Sequence, residues 1–380
     1  MTLDDVRSLV RLADPQISPD GRTVLVTVSR ADYDANEFRA ELVAIDVASG
    51  AQTVLVRGRR GLGHARWSPS GDRIAFLAGT AGSRQIHVIP SMSGEPTRGG
   101  EPTRGGEPTR GGGPVQLTRS PTGVQFFAWR PRARGTPDGE LAFVAADPRA
   151  PRTGAARHDD AFEVANDHYM TIAPPTPSHV WLVPAAGGDA RRLTSGAWSL
   201  STSLGSSPLS WSPDGRSLAF VRLASASPGD TDQGVVMIID VGAGVPRALT
   251  GRDAREAGAL FSPDGARIAC TYPRDGDPAN VDEAFVAPAA GGAGESVTRA
   301  LDRQVSIEDW WPDGSALLLS GTDGTRSALW LQPLRGAARK LDLGDVASVA
   351  GASLSRAGVI ALVGSEPARP PEVYALAPNG

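Results

Sequence analysis

Short apolar runs of four or five consecutive residues recur along the chain, each fenced by glycine, proline or aspartate. Arg73-Ile-Ala-Phe-Leu77, Ser217-Leu-Ala-Phe-Val221, Arg267-Ile-Ala-Cys270, Ala316-Leu-Leu-Leu319 and Val359-Ile-Ala-Leu-Val363 are the clearest. Runs of this length between turn residues read as strands, and apolar side chains at successive positions require cover on both strand faces. A second apolar run follows each of them, as in Ile86-His-Val-Ile89 and Val236-Met-Ile-Ile239. A third, shorter run often ends in Leu-Thr, as in Val115-Gln-Leu-Thr118, Arg191-Arg-Leu-Thr194 and Arg247-Ala-Leu-Thr250.

One phrase precedes the central run of each unit: a bulky residue, then Ser-Pro-Asp-Gly or a variant. It stands at Ile17–Gly21, Trp67–Gly71, Trp211–Gly215 and Phe261–Gly265, as Trp311-Pro-Asp-Gly314, stretched from Trp129 to Gly139, and faintly at Leu354–Gly358. Proline sets φ at the first corner of a tight turn, aspartate tolerates the second, and glycine takes the left-handed position after it. The steps between closing glycines are 50, 68, 76, 50, 49 and 44 residues. Two long steps have visible causes. Residues 95–112 are Glu-Pro-Thr-Arg-Gly-Gly three times over, and a polar insert occupies 147–178.

Four antiparallel strands repeated at this period predict an all-β chain: a seven-bladed β-propeller of four-stranded antiparallel blades, the last blade incomplete. Residues 13–380 are expected to form the ring. Residues 1–12 are expected to be helical; the alternative is that Val6–Leu12 supplies the outer strand of blade seven. The bulky residues before the turns, Trp67, Trp129, Trp211, Phe261 and Trp311, recur once per blade and read as packing between blades. The hexapeptide tandem is low-complexity sequence that cannot bury a core and reads as slippage into a tolerant surface loop.

Composition agrees with this picture and narrows the function. The 45 glycines and 31 prolines are a fifth of the 380 residues, a share that suits many short strands joined by tight turns. A net charge of -4 argues against a nucleic-acid binder. The absence of an apolar run of about 18 residues argues against a transmembrane helix. The opening Met1–Leu12 lacks the apolar stretch of roughly 7–15 residues that a signal peptide needs, so a cytoplasmic location is expected. Of 38 basic residues only Lys340 is lysine, which reads as codon bias. The one cysteine, Cys270, sits in an apolar run and reads as a small buried hydrophobe. The five histidines show no zinc spacing, Asp275-Gly-Asp277 lacks the rest of a calcium loop, and no nucleotide fingerprint occurs, so no cofactor or metal is expected.

The phrase Trp-Ser-Pro-Asp-Gly, followed by an apolar strand, a Gly-Gly turn and Leu-Thr, resembles two families. One is the N-terminal propeller of the prolyl oligopeptidase family of serine peptidases, acylaminoacyl-peptidase-like members especially; the other is the TolB-like propeller. The opening from Leu3 through Ala13-Asp-Pro-Gln-Ile17 and the insert from His158-Asp-Asp-Ala-Phe-Glu163 to Gly188 are similar to the peptidase group. That resemblance implies a non-catalytic propeller that gates and orients peptide substrates for a C-terminal α/β-hydrolase domain absent from this chain. A free-standing TolB-like protein-binding scaffold is the alternative. The family's Gly-x-Ser-x-Gly elbow has no match; Gly351-Ala-Ser353-Leu-Ser355 lacks the second glycine, so no catalytic residue is assigned. Family propeller loops facing the hydrolase can pair with a free amino terminus, which makes Asp159, Asp160 and Glu163 the substrate-binding candidates; a solvated charged loop is the plainer reading. Homo-oligomerisation stays open.

Overall fold

The computed structural model describes residues 9–377 apart from 81–82, 92–112, 133–138, 150–152, 156–162, 165–170, 173–174, 201–208, 228–229 and 231. Seven antiparallel sheets follow one another along the chain as the blades of a β-propeller. Blade 1 consists of Val10–Ile17, Thr23–Asp32, Glu37–Asp46 and Gln52–Arg59, paired in that order. Blade 4 has its first strand in two pieces, Ser199–Leu200 and Ser210–Trp211, both paired with Ser217–Leu223. Blade 7 has three strands, Ser348–Leu354, Ile360–Ser365 and Glu372–Leu376. A two-stranded ladder, Glu163–Val164 with Thr171–Ile172, lies in the polar insert.

The consecutive apolar residues are explained by where each strand face points. Ile74, Ala75, Phe76 and Leu77 are all fully buried. Ile74 and Phe76 pack with Leu25 and Leu42 of blade 1, whereas Ala75 and Leu77 pack with Phe127 and Phe143 of blade 3. One strand thus serves two cores, and a period-2 alternation would expose one of them. Burying each of the larger side chains contributes about 1.5–3 kcal/mol. The Leu-Thr ending has an equally local cause. Leu117, Leu193 and Leu249 are buried between blades, while the hydroxyls of Thr118, Thr194 and Thr298 accept the N–H of Ile86, Val180 and Ala284 at 2.8–2.9 Å. In blade 4 the Val236 N–H goes to the Glu256 carboxylate, 2.8 Å away, and Thr250 donates to that carboxylate.

The turn phrase folds as its residues require. All seven closing glycines, Gly21, Gly71, Gly139, Gly215, Gly265, Gly314 and Gly358, have φ between 67° and 82°, the region where a side chain is strained. In six of them, Gly139 aside, the glycine N–H bonds the carbonyl three residues back. Counting back from Gly314 places Trp310, not Trp311, at the bulky position of blade 6. Trp311 stands where the other turns have serine.

The expected N-terminal helix is corrected where the structure describes it. Val10–Leu12 are strand, beginning the first strand of blade 1, with Val10 opposite Arg30. The alternation Val10-Arg11-Leu12 puts both apolar side chains into the packing between blades 1 and 7. The same pairing excludes these three residues from an outer strand of blade 7; residues 1–8 lie outside the described residues. Blades 7 and 1 meet through side chains, with Ala361 against Ile17 and Val24, and Val363 against Val26, Val28 and Val43.

Strand direction fixes two faces. First strands run from the end where Val10 begins, here the N-terminal face, to the end carrying the Ser-Pro-Asp-Gly turns, here the turn face. The connection holding the polar insert joins Ala146 to Ser178, a second strand to a third, and so leaves from the N-terminal face. The connection holding the hexapeptide tandem joins Pro90 to Val115, a third strand to a fourth, and leaves from the turn face.

Candidate functional site

The first strands of the blades surround a central channel. Two overlapping cavities of about 720 and 500 Å³ occupy its turn-face half, lined between them by residues from all seven blades. Pro69, Pro131, Pro213, Pro263 and Pro312, the prolines of successive turns, stand around the channel's mouth beside the polar Ser70, Arg132 and Arg356. The turn acids are locally satisfied. Hydroxyls of Ser18, Ser212 and Ser262 donate to Asp20, Asp214 and Asp264 and hold those carboxyls below their usual range.

At one level of the channel wall the blades are tied by hydrogen bonds. The indole N–H of Trp67 donates to the carbonyl of Gln16, Trp129 to Arg66, Trp211 to Ala128 and Trp310 to Leu260, at 3.0–3.4 Å. Each acceptor immediately precedes the bulky position of the preceding blade. Two joints lack an indole because Phe261 and Ile17 hold that position. There the backbone N–H of Phe261 bonds the hydroxyl of Ser210, and that of Ile17 the hydroxyl of Ser353, at 2.8 and 2.9 Å. A buried aromatic with one polar tip suits this duty. Ser353 is therefore a structural residue in a strand, unlike a nucleophile on a strand-to-helix elbow. Between blades 6 and 7 no such bond exists among the described residues.

Charged groups punctuate the wall. Arg66 grips both oxygens of Asp14 at 2.8 and 2.9 Å. His64, packed edge-on against Phe127, has its Nε2 2.9 Å from the Phe127 carbonyl oxygen. Burial, with Arg66 nearby, drives its pKa well below the ordinary value, so its ring is neutral at neutral pH. Asp309 lines both cavities, and its carboxylate accepts the N–H of Trp310 at 2.8 Å. Burial pushes its pKa up to about 7, against the pull of that N–H and with Glu308 adding to the rise.

Of the candidates from sequence, Asp159 and Asp160 lie outside the described residues. Glu163 is placed by its backbone in the short ladder of the insert. The insert leaves from the N-terminal face, opposite the cavities. His87 stacks on Phe76, and His179 is fully buried between Trp198 and the Thr194 hydroxyl. Asp275 is paired with Arg299 at 3.0 Å. Cys270 is fully buried, which pushes its thiol up to about 12. Among the described residues no three His, Cys, Asp or Glu side chains gather as a metal site. Asp309 and the channel wall were not singled out from sequence. The available signal was departure from the repeat in copies six and seven.

Comparison with known proteins places the fold beside propellers of serine peptidases. No family model matches the chain. Dipeptidyl-peptidase 5 of Porphyromonas gingivalis is 23% identical over 348 residues, 85% of this chain and 46% of that protein. The acylaminoacyl peptidase of Pyrococcus horikoshii superposes with a TM-score of 0.68 at 14% identity, over 98% of this chain and 52% of that one. The β-propeller domain of the Trilobed protease from Pyrococcus furiosus, described as having an open velcro topology, gives 0.65 at 13% identity, over 97% and 93%. The chain spans less than half the length of the curated relatives it matches. Its fold is a seven-bladed β-propeller, similar to the propellers of these peptidases.

Proposed function

We propose that this chain is the non-catalytic propeller of a prolyl-oligopeptidase-type serine peptidase, admitting and orienting short peptides for an α/β-hydrolase domain. The observation that carries this reading is the channel. Its turn-face half holds cavities of about 720 and 500 Å³, a volume that suits a short peptide and not a folded protein, and hydrogen bonds tie six of the seven blade joints around it. The likeness to peptidase propellers supports the pairing with a hydrolase domain, which we place on the N-terminal face, where the polar insert leaves the ring. Asp159, Asp160 and Glu163 remain the proposed amino-terminus contacts on that face.

The test is a chimera of this chain with the C-terminal part of the Porphyromonas gingivalis relative, alongside the chain alone. Aminoacyl and acyl-peptide chromogenic substrates should show no serine-inhibitor-sensitive turnover with the chain alone. The chimera should cleave short peptides and spare folded proteins of the same sequence. Turnover by the chain alone, or cleavage of folded protein and peptide at equal rates, would overturn the reading. Tight capture of an intact protein on the propeller face with no effect on cleavage would favour the free-standing scaffold.

A further inference from the structure

Departures from an internal repeat mark where a chain has been released from the demands of its scaffold, and here they gather at one joint. Asp309 occupies the acceptor position of blade 6 facing Leu354 of blade 7, which brings no indole. At the other two joints without an indole a serine hydroxyl takes the next blade's N–H. Asp309 bonds the N–H of its own neighbour instead and lines the channel. Among the described residues no cation lies within ion-pair distance of it. In the turn of blade 7, Arg356 replaces proline and Ala357 replaces aspartate, adding a positive charge and deleting a negative one. Arg356 is exposed, makes no hydrogen bond or ion pair with a described residue, and lines the same two cavities as Asp309.

An unpaired carboxylate and an unpaired guanidinium therefore share one cavity without touching each other. Counted along the repeat, Asp309 lies three positions farther from the rim than Arg356, roughly 10 Å of strand. That is close to the reach of an extended tripeptide. We propose that the turn-face mouth of the channel, at the joint of blades 6 and 7, is a binding site for short unblocked peptides, the N-terminal ammonium on Asp309 and the C-terminal carboxylate on Arg356. A peptide held this way points its amino end into the channel, towards the N-terminal face. Guanidinium groups suit carboxylates because their N–H groups match the two oxygens. The prolines around the mouth receive the peptide's side chains. The buried carboxylate's raised pKa is consistent with a group awaiting a cationic partner.

The inference deepens the proposed function by naming what enters the channel, yet its test needs no catalytic domain. The 380-residue chain is titrated calorimetrically with trialanine, N-acetyl-trialanine and trialanine amide. Trialanine should bind, and each blocking group should weaken binding at least ten-fold. Asp309→Asn should abolish discrimination against the acetyl form and keep that against the amide; Arg356→Ala should do the reverse; Asp309→Glu should restore selectivity for the free amine. Far-UV circular dichroism and urea midpoints confirm that the variants fold. Failure of the wild-type chain to bind trialanine, equal binding of the three peptides, or unchanged discrimination in either variant would overturn the proposal. A chimera that cleaves folded proteins while trialanine still binds would sink the gating role and leave this site standing.

Discussion

Replacing Asp309 with asparagine should make the chain more stable at pH 8 and should do so by a clearly smaller amount at pH 5. Burial pushes the carboxyl's pKa up to about 7 in the folded chain, against an ordinary 3.8 when unfolded. Between roughly pH 4 and 7 the folded chain therefore keeps a proton that the unfolded chain has released. Stability falls as pH rises through that window and is level above it. Three pKa units would correspond to about 4 kcal/mol. Asp309 is only partly buried and lines the channel, so roughly 1–2 kcal/mol is the expected share. At pH 5 the folded chain still holds the neutral acid while the unfolded chain has released its proton, so the gain of the amide variant should be roughly a third of that at pH 8. His64 works in the opposite sense, its depressed pKa raising stability as pH climbs to about 6.5, but it is common to both chains and cancels in the difference. Urea unfolding of both chains at pH 5, 6.5 and 8, followed by tryptophan fluorescence, gives the comparison. Parallel pH profiles for the two chains would refute the burial of this charge.

Trp129→Phe removes the N–H given to the Arg66 carbonyl and one ring of a buried bicyclic side chain, so the urea midpoint should fall by an amount equivalent to about 2 kcal/mol or more, with an unchanged circular dichroism spectrum. Cys270, with its thiol pushed up to about 12 and no exposed surface, should resist a thiol-specific chromogenic reagent at pH 8 until denaturant is added, then report one thiol per chain. Deleting residues 95–112 shortens one turn-face connection and should change stability by less than about 1 kcal/mol; a larger loss in urea unfolding would show that the tandem packs on the ring.

The repeat made the ring legible because each of its features answers a local demand. A glycine at a left-handed position, a proline before it and a strand apolar on both faces can be read without knowing what they touch. Counting failed by one residue in copy six, where Trp311 replaces the serine and the eye anchors on the wrong tryptophan. The channel was hidden for a different reason. Its wall consists of single residues, one per blade and about fifty apart, so Asp309 and Arg356 have no shared signature in the sequence. Their oddness emerges only when seven copies are laid over one another with the correct offset. Leu3–Leu12 mixes acids and apolar residues in a way that suits a helix; Val10 and Leu12 pair within blade 1 and pack in a cluster completed by Val363 and Val373 of blade 7, more than 300 residues away.

The hydrogen-bonded girdle around the axis has a mechanical corollary. Six of its seven links are fastened, so the bore cannot widen evenly, and any dilation must be taken up where blade 6 meets blade 7. An aperture that yields at a single point opens as a slit, and the slit would be flanked by Asp309 and Arg356.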